Sequence, residues 1–171
     1  MAGLVAEPRS GNSSTHRGDQ KCMAALTPET IATLCRRIDA ISSEARPQWG
    51  KMSAAQMLAH VRLAMEQTLQ PTQQAGQSTW FRRNVVKYLA LYVLPIPRNI
   101  TGMPSELFAS TPEELERERT ACKAMVQRLA EHCHTGGALT AVHPLFGPLT
   151  TGQWQAMHVK HMDHHLRQFG V

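Results

Sequence analysis

At 171 residues the chain is long enough for one domain with a real core and short for two. Hydrophobic residues make up 42% and charged residues 18%, a globular composition, and no apolar run reaches the roughly 20 residues that cross a bilayer. The net charge of +5 is segmented: Arg82, Arg83, Lys87 and Arg98 form one cationic stretch, and Glu106 to Glu118 is acidic in turn, so no nucleic-acid stripe is built.

Residues 1–22 carry Pro8, three glycines and a Ser/Asn run, and are expected to form a disordered tail ahead of a domain spanning 23–171, with Met23 as a candidate natural start. Thr27 caps the first helix with Pro28 at its first position, and Ile31, Leu34, Cys35, Ile38 and Ile41 recur on one face. Arg46-Pro47-Gln48-Trp49-Gly50 is expected to end it. Ser53 to Gln56 is a capping box for a second helix running to about Leu69, whose apolar face holds Met57, Leu58, Val61, Ala64, Met65 and Leu69.

Pro71 to Ser78 reads as a loop. Trp80 to Leu94 is expected to be a shorter helix with its basic residues outward, and Pro95, Pro97, Gly102 and Pro104 make the next connection extended. Thr111-Pro112-Glu113-Glu114 starts a helix to about His132, with Leu115, Cys122, Met125, Val126 and Leu129 inward. His143 to Pro148 lies in a loop, and Thr150 caps a last helix that continues almost to Val171. Four principal helices and one short one predict an all-α antiparallel bundle.

Cys22, Cys35, Cys122 and Cys133 show no metal or disulfide spacing and read as small core residues. No secretory signal stands at the N-terminus, so a reduced, cytoplasmic protein that engages no membrane is expected.

Four of the nine histidines fall within eight residues: His158, His161, His164 and His165. At about 100° per residue, His158, His161 and His165 share one arc with Trp154, while Lys160, Asp163 and Arg167 point the other way. A lone histidine on an apolar face is ordinarily a hydrogen-bonded core residue. A stripe of them needs a stronger reason, because each buried imidazole costs desolvation unless paired or ligated.

His161 and His165, at i and i+4, can converge on one metal ion across a single turn. His158 and His165 are about two turns apart and cannot chelate together easily. A third ligand must come from another helix, and His60, amid apolar neighbours on the second helix, is the best candidate. His158 and His164 remain as neighbours of the ion or alternative ligands. Imidazole donors suit zinc first, with nickel, iron and copper also matched, and three ligands leave a position open on the ion.

The order Met57-Leu58-Ala59-His60, then His161-Met162-Asp163-His164-His165-Leu166-Arg167-Gln168, resembles the DinB/YfiT-like metalloenzyme superfamily. It is most similar to a branch whose chains carry a His-Pro-Leu-Phe-Gly-Pro-Leu-Thr loop and a His-His-Leu-Arg-Gln-Phe-Gly tail, as here from His143 to Gly170. The resemblance covers about residues 26–171. It implies a DinB-like four-helix bundle, dimeric in many relatives, with a metal held by His60, His161 and His165.

It further implies a small-molecule substrate. Some relatives transfer low-molecular-weight thiols to electrophiles, the metal lowering the thiol's pKa. A metal-dependent hydrolase and a non-catalytic, stress-associated metal-binding protein are the alternatives. The inward face of the last helix carries no carboxylate to act as a general base, and the sequence assigns no catalytic residue.

Overall fold

A computed structural model describes residues 25–70, 79–98 and 112–171. The tail at 1–22, the start at Met23, Cys22, the loop from Pro71 to Ser78, the Gly102–Pro104 connection and the Thr111 cap lie outside the described residues. The protein is all-α, with one two-residue-per-strand hairpin as its only sheet among the described residues.

Helix α1 spans Pro28–Asp39 and α2 spans Ala54–Leu69. The Thr27 side chain accepts from the Thr30 backbone N–H at 3.2 Å, and Ser53 with Gln56 forms a reciprocal capping box. Each such cap is worth about 1 kcal/mol because it satisfies backbone donors the helix itself cannot. Helix α3 spans Pro112–His134 and α4 spans Thr151–Gln168, the latter with its own capping box from Thr150 and Gln153.

Helix α2 packs chiefly along α3 and also meets α4, while α1 touches both α3 and α4. Their apolar faces close over one core, with Leu34, Ile38, Leu58, Met65, Val126 and Leu129 fully buried within it. Arg62 and Glu118 join α2 to α3 through a 2.8 Å ion pair, and Glu118 is buried. Among the described residues no helix is long and apolar enough to cross a membrane.

Three local expectations are corrected. Helix α1 stops at Asp39, well before Arg46, because Arg119 on α3 takes the carbonyls of Ile38, Asp39 and Ile41. That guanidinium satisfies the helix end, and residues 40–53 are left as an irregular connection. The segment His143–Pro148 is a hairpin, not a plain loop: β1 (Val142–His143) pairs antiparallel with β2 (Gly147–Pro148), and Gly147 turns the chain at φ +72°.

Lys160 does not face away into solvent. Its ammonium donates to the carbonyls of Ala90, Leu91 and Leu94, closing the end of the short helix. That helix, residues 80–93, is wound mostly as wide π turns (Arg82–Val86 and Leu89–Val93), and only Leu91 of its side chains is buried. Arg82 and Arg83 face outward as expected, but so do Trp80, Phe81, Tyr88 and Tyr92.

Candidate metal centre

Helix α2 brings His60, and α4 brings His161 and His165, to a single point. The Nε2 atom of His161 lies 3.1 Å from Nε2 of His60 and 3.1 Å from Nε2 of His165. All three nitrogens lie within 4.8 Å of one another, and the rings meet edge to face with centroids 4.7–5.0 Å apart. The i, i+4 spacing on α4 produces the pair, and His60 faces it because α2 and α4 are packed together.

The protonation state of His165 follows from its partner. Gln168 Nε2 donates to the Trp49 carbonyl at 2.5 Å, so Gln168 Oε1 is the atom 2.9 Å from His165 Nδ1. The opposite amide orientation would set two acceptor oxygens face to face. His165 Nδ1 therefore carries the proton and donates it to Gln168, leaving a lone pair on Nε2 aimed at His161 and His60.

Three ring nitrogens that close together cannot satisfy one another. If His161 Nε2 holds a proton, one N–H must serve two neighbours at 3.1 Å in different directions. If it does not, two lone pairs face each other across the His161–His165 contact. A cation removes the conflict: ligands about 2.0–2.1 Å from an ion at ordinary coordination angles sit about 3–3.5 Å apart. The donor set fits a divalent ion of borderline softness, zinc being the ordinary match for imidazoles.

The electrostatics also suit ligation, which needs neutral imidazoles. Burial pushes His165 down to about 4, against a smaller opposing effect of the Gln168 hydrogen bond. Burial, then the neighbouring imidazoles His165 and His60, hold His161 well below the usual histidine range, and burial alone lowers His60.

His158 and His164 stand apart from the convergence. His158, 1% exposed, stacks on Trp154, and its Nε2 lies 2.9 Å from Thr68 Oγ1. Thr68 already gives its own proton to the Ala64 carbonyl, so His158 Nε2–H is the donor. His164 turns its ring edge to Trp49 and to His165, at centroid distances of 5.8 and 5.1 Å. It is a neighbour of the cluster.

The sequence did not single out Gln168, although its i+3 spacing from His165 on one helix face was a usable signal. It placed Trp154 and His158 on one arc but gave no hint that His143 and Phe146 of the hairpin continue the row of rings. Trp80 and Phe81 are 74% and 57% exposed. Cys122 is buried in the core and its thiol is pushed up to about 12 by burial, while Cys35 and Cys133 are half-buried, so none joins the histidines.

Comparison with known proteins gives one match, a family described as a protein of unknown function (DUF1569), over residues 21–170. The chain belongs to this family. The matched segment contains all three converging histidines and Gln168. No curated protein and no solved structure matches.

Replacing Gln168 with Leu tests the bond that orients His165 for a metal. Loss of the partner that fixes a histidine ligand's tautomer typically weakens metal affinity 10- to 100-fold. A competitive chelator titration of Gln168→Leu should show a loss in that range with the fold intact. An unchanged affinity would mean that packing alone orients His165.

Proposed function

We propose that the chain is a metal-dependent enzyme with a DinB-like antiparallel four-helix bundle, in which His60, His161 and His165 hold one divalent ion, and that it transfers a low-molecular-weight thiol to an electrophile. The observation that carries the metal is the convergence of three Nε2 atoms at 3.1 Å spacings, with the His165 proton held on the far side by Gln168. Zinc is the first choice, with nickel and iron as the other candidates. Four-helix packing around the site is supported by the contacts of α2 with α3 and α4 and of α1 with both.

When bound, the ion supplies Lewis acidity that lowers a thiol's pKa. The chain's own residues do the rest. His60, His161 and His165 present neutral nitrogens, and three protein ligands leave room for a small molecule. No carboxylate groups with the three histidines among the described residues, so the thiol proton passes to solvent and not to a protein base. The thiol sulfur then forms a bond to the electrophilic carbon as its leaving group departs.

A DinB-like homodimer is part of this reading, and a small-molecule substrate is its partner, with no nucleic acid involved. Elemental analysis of the purified protein, paired with a transfer assay of several thiols against an aryl halide, tests it. Stoichiometric metal and a metal-dependent rate are expected. Equal rates with and without metal for every thiol would sink the transferase reading and leave a binding role.

A further inference from the structure

We infer that Arg98, stacked on Trp49 beside the histidine cluster, recognises a carboxylate on the small molecule that the site takes. This rests on the proposed metal site and adds the charge class of its ligand.

The Arg98 guanidinium carbon lies 4.3 Å from the Trp49 ring centroid. Such stacking fixes the plane of the guanidinium while leaving the N–H donors around its rim free to bind a carboxylate in two-point fashion. Four other arginines are engaged within the protein: Arg37 on Asp163, Arg62 on Glu118, Arg119 on three carbonyls and Arg167 on Asp163. Among the described residues Arg98 has neither a carboxylate nor a carbonyl partner. Arg98 itself is exposed, whereas the Trp49 indole Nε1 is buried with no hydrogen-bond acceptor among the described residues. Among the described residues, neither donor on this platform has a protein acceptor.

The platform is joined to the cluster twice. The Trp49 ring meets His164, whose ring meets His165, and the Trp49 carbonyl is the acceptor that orients Gln168, and through it His165. Charge points the same way. A divalent ion on three neutral imidazoles with no carboxylate in the group would leave a net positive site, and a positive site favours anions.

The test is calorimetry on the zinc-loaded protein with three probes: mercaptosuccinate, succinate and the neutral thiol 1-thioglycerol, each against wild type and Arg98→Gln. Metal content is measured on the same samples. Both anions should bind wild type, and both should weaken about tenfold or more in Arg98→Gln, with metal content and 1-thioglycerol binding unchanged. Arg98→Lys, which keeps the charge but not the planar fork, should recover only part of the loss. Anion affinities equal in wild type and Arg98→Gln, or no anion binding at all, would overturn the inference. If mercaptosuccinate binds no tighter than succinate, the thiol reading fails while the role of Arg98 stands. If the protein takes up no zinc, the metal reading fails, and Arg98-dependent succinate binding alone would still support the anion site.

Discussion

Replacing His161 with Ala is expected to abolish stoichiometric metal binding, while His164→Ala keeps it. His161 is the middle nitrogen of the three, 3.1 Å from each of the others, so its removal leaves two imidazoles without the ligand that joins them. Structural zinc sites with four protein ligands release about 10–16 kcal/mol, or about 3 kcal/mol per ligand, so the loss should exceed a hundredfold. His165→Ala should fall in the same range. His164 lies outside the converging set and makes T-shaped ring contacts with Trp49 and His165, so its loss removes packing and none of the three converging nitrogens. Metal content after dialysis, with circular dichroism as a check on folding, decides the matter. Equal depletion in His161→Ala and His164→Ala would mean that the ligand set is wrong.

The second large effect is acid unfolding of the metal-free protein between about pH 6.5 and pH 4. An unperturbed histidine titrates near 6.5, and burial pushes His143 and His165 down to about 4 and His158, with a further contribution from His143, down to about 3. A depressed folded-state pKa means that the unfolded chain takes up protons that the native state refuses. The native state therefore keeps its full stability above about 6.5 and loses it as pH falls toward the folded values. Each unit of depression is worth about 1.4 kcal/mol, and the native state as a whole holds only about 5–15 kcal/mol.

If His60, His161 and His165 hold zinc as proposed, zinc should move the acid midpoint downward, because it would bind the folded state through neutral imidazoles and compete with protons there. A pH titration followed by far-ultraviolet dichroism, with and without zinc, reads both effects. A metal-free midpoint at or below pH 3.5 would show that these histidines are not buried as neutral groups.

Much of the architecture is carried by local signals. The caps at Thr27, Ser53 and Thr150 and the 3.6-residue spacing of Leu34 and Ile38, or of Val126 and Leu129, depend only on neighbours within a turn. His161 and His165 were legible for the same reason, and His60 because a third donor had to come from another apolar helix face.

What was not legible depends on residues far apart in the chain. Asp39 ends α1 because Arg119, 80 positions later, takes its carbonyl. Lys160 turns inward because the carbonyls of the 80–93 helix end beside it. The pairing of Trp49 with Arg98 has no periodicity to betray it, since both lie in irregular chain.

Lys160 has one further consequence. It precedes His161, the middle imidazole of the three, by one residue, and its ammonium grips the carbonyls from which the chain runs on to Arg98. A shift of α4 on loading the three imidazoles would reach that strap directly. Coupling of this kind is reciprocal: whatever factor the metal adds to anion affinity, the anion must return to metal affinity. A molecule held by Arg98 would then act as a lock on the ion, slowing its escape for as long as the molecule stays.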